Sequence, residues 1–484
     1  MQLLGKILGS KLHFFKEREL LARFVIICLV GYWTVSTSVI ENDYFRGLSE
    51  SFVNLNLFYP EKPNPTLLLL KDPYSPASLQ WAIHDLSFYD GRYWLYWSPL
   101  PALIYLPFTI AGFPINSKVA ALICLICISV LFFAFQNSES RSVTRRLRSS
   151  RFSLTALFVV SSGILIALRR PATYEIPILF AALLSLLAIF ILYKGVSNTQ
   201  KGISSRKLIL IGTLLSMAIW CRPSYVGTMI VVLVVLAFWL EGRIKEKIAN
   251  VVSLLIGCIP VGLFFFAYNQ SRFNDPWEIG HKYQIAVISN DSLGGPSIEW
   301  TIRSFAQYLI GTPRFLSQFP FLALDPSPIN PYPSTYVYEP TIGLIWICPA
   351  YLLIFSSRYL DLTLEKTDPG EKIGLMCILS GNINLLITTL LIGSTSFRYI
   401  LDGSILIALG TMLLLSRHIY SNNFVIDKQV LRSKNPSKRR PKEGMQQRTS
   451  KSKKLTLMVL ASIGCTTSLL LSLTGYYDPL NLIR

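Results

Sequence analysis

The chain has 484 residues, is 51% hydrophobic and carries a net charge of +19, with a mean hydropathy of +0.45. Apolar runs near the roughly 20 residues that a helix needs to cross a bilayer core recur along its length. These features exclude a soluble globular domain and predict an all-α, polytopic helical membrane protein. Basic residues gather in a few loops, which the positive-inside rule assigns to the cytoplasm. The charge therefore reads as topology, and no nucleic-acid partner is expected.

In chain order, residues 1–19 carry Lys6, Lys11, Lys16 and Arg18 and are expected in the cytoplasm. Span 1 runs from Leu20 to Ile40 and should stay as an anchor. A large external loop follows over residues 41–97, with five prolines that predict irregular backbone or short helices in its middle. Ser98–Phe113 is apolar but short and contains Pro99, Pro101 and Pro107. Asn116–Phe135 is span 2, and Arg141, Arg145, Arg146, Arg148 and Arg151 come after it. If Ser98–Phe113 also crossed, those arginines would lie outside, so the segment is read as interfacial or re-entrant.

Span 3 is expected over Ser153–Leu168, span 4 over Ile176–Tyr193, span 5 over Leu208–Trp220, span 6 up to Leu240, and span 7 over Ile248–Tyr268. A second external region covers 269–340. Spans 8, 9 and 10 follow at Thr341–Phe355, Ile373–Ile392 and up to Leu415. Arg417–Lys454 has 12 basic and 2 acidic residues, a balance of +10, and is expected to be a disordered cytoplasmic loop. Span 11, Leu455–Leu473, leaves the C-terminus outside, within a closing segment of 455–484. The organisation is thus a transmembrane catalytic domain over 1–416, a basic loop and a last helix. The eight cysteines fall inside spans, and Cys124 and Cys127 have no His beside them, so they read as small core residues.

Chemistry-bearing residues concentrate outside the spans. Glu41 and Asp43 lie two apart at the exit of span 1, so an extended backbone puts them on one face. Such a pair can act as a base, bind a divalent cation such as Mg or Mn, or orient a sugar hydroxyl. Four arginines, Arg169, Arg170, Arg222 and Arg398, sit at outer span ends against the charge rule. Arginine binds phosphate bidentately, while snorkelling or pairing with Glu175 or Asp402 is the structural alternative. His84 and Asp85 could hold a second acid or a metal ligand. Trp81, Tyr93, Trp94, Tyr96 and Trp97 could stack on sugar rings or form an interfacial belt. Arg92, Arg272, His281 and Tyr399 complete the expected substrate contacts.

An acidic D/E-x-D pair in the first external loop, just after the first span, resembles the GT-C glycosyltransferases, which include protein O-mannosyltransferases and aminoarabinose transferases. Glu41-Asn42-Asp43 has that form and place. The long aromatic first loop, Pro99-Leu100-Pro101 and the eleven-span layout are also similar. The resemblance implies sugar transfer, with inversion, from a polyprenyl-phosphate carrier to a glycan, lipid or protein acceptor on the extracytoplasmic face. It implies Asp43 as base and Glu41 as its partner. The chain lacks the soluble sugar-binding insertion of O-mannosyltransferases. A transporter or flippase, and a polysaccharide polymerase or ligase, are the rival readings. Mid-membrane charges and internal repeats would mark a transporter, and neither is visible here.

Overall fold

A computed structural model of the chain describes residues 25–38, 43–138, 151–197, 203–239, 242–286, 297–318, 321–324, 337–355, 369–392 and 394–432, with a few positions between 464 and 470. Glu41, the Arg141–Ser150 stretch and almost all of span 11 lie outside the described residues.

Five helices are long and apolar enough to cross a membrane: Ser117–Asn137, Glu175–Ser197, Ile244–Phe273, Gly370–Leu391 and Phe397–Ser416. They coincide with expected spans 2, 4, 7, 9 and 10. Shorter apolar helices at Val25–Ser36, Ser205–Cys221 and Pro223–Trp239 fall on spans 1, 5 and 6. Phe397–Ser416 is wholly buried and forms the axis of the bundle, whereas only 22% of the Ile244–Phe273 window is buried. That outer helix exposes Ile248, Val252, Leu255, Ile259 and Leu263, an apolar stripe suited to lipid.

The axial helix packs against Pro369–Leu391 through glycines. A Cβ on Gly403 would come within 2.3 Å of the Gly381 carbonyl oxygen, and one on Gly410 within 2.3 Å of the Gly374 oxygen. The glycines repeat every seven residues on both helices, so the backbones meet along one seam, as small residues allow in membrane bundles.

Three expectations change. Span 3 is two helices, Arg151–Ser161 and Ile164–Arg169, separated by Gly163 at φ +79°. Span 8 is not one helix: Leu344–Ile347 is followed by a 3₁₀ segment, Pro349–Phe355. Pro349 has no N–H to continue the helix. The helix that begins at Phe397 continues to Arg432, so the first part of the basic loop has helical backbone.

Ser98–Phe113, expected to be interfacial or re-entrant, holds one short helix. Its helix, Leu100–Ile110, has 11 residues and an internal Pro107. At 1.5 Å per residue it reaches about 16 Å, half of a bilayer core. It lies on the Tyr44–Val53 helix, where the Ser49 and Thr109 hydroxyls meet at 2.8 Å.

The loop residues form a layer over the bundle. Ser87–Tyr89 and Arg92–Trp94 pair as an antiparallel hairpin in the register Ser87↔Trp94, Phe88↔Tyr93 and Tyr89↔Arg92. Its two-residue turn has Asp90 at φ +50° and Gly91 at φ +65°, the left-handed pair that suits a tight hairpin. The segment after Phe273 docks on the segment that carries the hairpin. Asp85 N–H donates to the Ile285 carbonyl at 2.8 Å, Ile285 N–H to the Leu86 carbonyl at 3.0 Å, and Ser87 Oγ to the Gly280 carbonyl at 2.8 Å. A short parallel pair, Val337–Tyr338 with Ser394–Thr395, ties its far end to the start of the axial helix.

The glycine seam gives a direct test. Gly403→Val should force the two helices apart and cost roughly 1–3 kcal/mol, as overpacking does. The purified variant should melt below the wild type, and an unchanged melting temperature would rule out the close seam.

Candidate functional site

Asp43 stands where two helix N-termini meet. It caps the Tyr44–Val53 helix, accepting weakly from Arg46 N–H at 3.4 Å. Ser117, the first residue of the next helix, donates its N–H to Oδ2 at 2.8 Å and its hydroxyl to Oδ1 at 2.7 Å. The carboxylate is thus oriented, half-exposed, with acceptor capacity left on Oδ2. The next residue, Tyr44, donates its N–H to Thr173 Oγ1 at 3.4 Å. This contact sets the Asp43 helix start against the 169–175 turn.

Two of the four arginines, Arg170 and Arg398, gather at that turn, and a third, Arg222, joins them through Tyr399. Arg398 lies 4.3 Å from the Tyr174 ring centroid and 5.2 Å from that of Tyr399. Arg222 lies 5.2 Å from the other arginine's Tyr399 partner ring. Arg170 is 5.7 Å from Tyr174. The fourth, Arg169, turns away and donates to the Thr37 hydroxyl at the end of the first span.

The arginines are held by carboxylates. Arg222 Nε donates to both oxygens of Asp402, at 3.0 and 3.1 Å, and Thr388 Oγ1 adds a bond of 2.8 Å. Asp402 is fully buried, so this pairing is obligatory. Arg398 reaches Glu339 Oε1 at a long 3.4 Å, while the Ser396 hydroxyl donates to the other Glu339 oxygen. Glu339 escaped the sequence reading. It lies in a Pro- and Tyr-rich stretch with no helical period, and the parallel strand pair delivers it.

Asp85 faces the same cluster. It is buried at φ +64°, a left-handed conformation that aspartate tolerates better than most residues. Its Oδ1 accepts from Gln284 Nε2 at 2.8 Å, and Oδ2 lies 3.4 Å from His84 Nδ1. Burial raises its carboxyl above the usual range; His84, the Gln284 hydrogen bond, Arg398 and Arg170 pull the other way. The His84 side chain remains 42% exposed, and its carbonyl accepts from the Tyr44 hydroxyl at 2.6 Å.

Three expected substrate contacts are committed within the protein instead. Trp94 is buried and donates its indole N–H to the Tyr89 carbonyl at 2.9 Å, closing the hairpin. Arg92 lies over Phe58 at 4.7 Å on an exposed strand end. Arg272 is buried, donates to the Leu95 carbonyl at 2.6 Å and to Asn269 Oδ1 at 2.7 Å, and lies over Tyr268 at 4.1 Å. It ties the end of the Ile244–Phe273 helix to the segment that follows the hairpin. His281 stays exposed, 5.9 Å edge-on from Tyr96.

A divalent cation finds no ready ligand set here. Among the described residues, no three His, Cys, Asp or Glu side chains gather as metal ligands. The carboxylates of the cluster are engaged by Ser117, Gln284, Arg222 and Arg398.

No protein-family profile and no curated protein matches the chain. Among solved structures it is similar to the archaeal oligosaccharyltransferase AglB from Archaeoglobus fulgidus, solved in complex with an inhibitory peptide and a dolichol-phosphate. The identity is 13% and the TM-score 0.41, over 96% of this chain and 56% of that one. The chain therefore spans about half the length of that neighbour.

The Arg222–Asp402 pair yields a second test. Arg222→Ala strands a buried carboxylate and should cost about 3–5 kcal/mol, while a well-packed Arg222→Met/Asp402→Leu double variant should recover most of it. Melting curves of both variants decide the point; a stable Arg222→Ala single variant would contradict an obligatory pair.

Proposed function

We propose that the chain is an integral membrane glycosyltransferase of GT-C type. It moves a sugar from a polyprenyl-phosphate carrier to a glycan, lipid or protein acceptor at the extracytoplasmic face. The proposed topology has eleven spans and a cytoplasmic N-terminus. The observation that supports this reading most is one of geometry. An oriented, half-exposed Asp43 begins the helix whose Tyr44 bonds Thr173 of the 169–175 turn, Arg170 and Arg398 lie by Tyr174 of that turn, and Arg222 joins them through Tyr399.

In this reading the acceptor hydroxyl attacks the anomeric carbon, and its proton passes to Asp43, which Ser117 holds in place. The bond between that carbon and the phosphate oxygen breaks, and its electron pair stays on the lipid phosphate. Negative charge therefore grows at the phosphate, where fixed guanidinium groups lower the barrier. Arg398 is the best placed of these, because it lies over Tyr174 at the 169–175 turn and its 3.4 Å contact to Glu339 is long. Arg170 adds charge from beside Tyr174. Arg222 acts mainly by position, since Asp402 takes its Nε donor. One displacement of this kind inverts the anomeric centre. Glu41 is assigned to orienting the acceptor.

Asp43→Asn keeps the size and the Ser117 contacts but cannot take the proton, so transfer should fall at least about 10²-fold with folding intact. Arg398→Ala should lower it about 10- to 100-fold. The assay is transfer from a polyprenyl-phosphate sugar by purified variants. Near-normal turnover by Asp43→Asn would remove it as base.

A further inference from the structure

We propose that the bundle holds an anionic phospholipid at the end opposite the arginine cluster, in a crevice headed by Lys372 and Trp239. The site does not depend on the sugar-transfer reading. The crevice measures about 310 Å³ with its open mouth. It lies where the Glu175–Ser197 and Pro223–Trp239 helices end and the Pro369–Leu391 helix begins. Leu192 and Val196, four apart and so on one helix face, form one wall, and Val235 and Ile373 form others. Glu175, at the far end of the first of these helices, follows Tyr174, which carries Arg398 on its ring. From 175 to 196 is 21 residues, about 32 Å at 1.5 Å per residue, the thickness of a bilayer core. The crevice is therefore at the other membrane face, the cytoplasmic one in the proposed topology.

Two polar groups head it, and both are donors. The Lys372 ammonium stands 5.9 Å from the Trp239 ring centroid and has no ion pair among the described residues. Glu371 precedes it in sequence but does not line the crevice. The indole N–H of Trp239 is buried and has no acceptor among the described residues. An unmatched buried donor is costly and calls for a partner. Trp239 also closes Val235–Trp239, a π-helical turn of the kind found mostly at functional sites.

The chemistry selects the occupant. An ammonium and an indole N–H can only donate, so the missing partner is an acceptor, and the oxygens of one phosphate serve both. The walls below are apolar, so a soluble phosphate would leave them uncovered. An acyl chain covers them while its phosphate stays at the polar end. The surface beside the crevice suits lipid: Phe238 is 79% exposed and Val234 48%. A phosphatidylcholine carries its own ammonium beside its phosphate, which offsets the attraction to Lys372, so an anionic headgroup is favoured.

The full chain in detergent is titrated with phosphatidylglycerol, with phosphatidylcholine of the same acyl chains and with glycerol phosphate, and bound molecules are counted by native mass spectrometry. Phosphatidylglycerol should bind about 10-fold more tightly than phosphatidylcholine, and glycerol phosphate should bind far more weakly than either. Lys372→Ala should weaken phosphatidylglycerol about 10-fold and Lys372→Arg should retain it. Trp239→Phe, which keeps a ring but loses the N–H, should weaken it roughly 3- to 10-fold. Lys207 is exposed at the same end of the bundle and outside the crevice, so Lys207→Ala should change binding less than about 2-fold. Equal losses from Lys207→Ala and Lys372→Ala would mean diffuse charge attraction and would overturn the site. So would phosphatidylcholine bound as tightly as phosphatidylglycerol, or glycerol phosphate bound as tightly as the lipid. None of these outcomes bears on Asp43, so the site fails or stands apart from the proposed reaction.

Discussion

A carboxylate inside an apolar bundle must meet a cation, and Asp402 meets Arg222. The pair joins the turn that follows Ser205–Cys221 to the first turns of the axial helix. Because the axial helix begins at Phe397, the same contact fixes Arg398 and Tyr399 one helical turn earlier. Tyr399 then lies between the two guanidinium groups, at 5.2 Å from each. The ring keeps the two guanidinium groups apart, while Asp402 and Glu339 each pair with one of them. Glycines behind it let the axial helix sit deep enough for this to happen.

The loop layer supplies the other half of the site. Arg272 and the strand-like contacts of Ile285 hold the segments 82–95 and 269–286 together. That union buries Asp85 and aims it at the arginines, while Tyr44 bridges from Asp43 to the His84 carbonyl. Asp43, Asp85, Arg170, Arg222 and Arg398 thus come from five separate stretches of chain. Rigid elements position each one: a helix start for Asp43, a hairpin flank for Asp85, and a helix end or start for Arg170, Arg222 and Arg398.

The apolar spans were legible because long hydrophobic runs have one stable outcome in lipid, and Ser117–Asn137 and Glu175–Ser197 match their expected bounds closely. The short reach of Ser98–Phe113 was legible too, from its prolines and the arginines beyond it. The break at Gly163 was readable in principle, since glycine is the residue that takes φ +79° without strain. The hairpin at Asp90-Gly91 was equally readable, but the aromatic crowding around it drew the sequence reading toward ligand stacking. Trp94 and Arg272 show the limit of such a reading: an aromatic or a cation in a loop looks the same in sequence whether its partner is a substrate or a backbone carbonyl. The Arg398–Glu339 contact joins residues 59 apart and depends on a two-residue parallel pairing that no local pattern announces.

The account turns on where a lipid phosphate binds. A cryo-EM map of the chain in nanodiscs with polyprenyl phosphate measures this directly. The account predicts the phosphate about 3 Å from the guanidinium of Arg398, with Arg170 and Arg222 around it and Glu339 released from Arg398. A phosphate resolved elsewhere, with Arg398 still on Glu339, would contradict it.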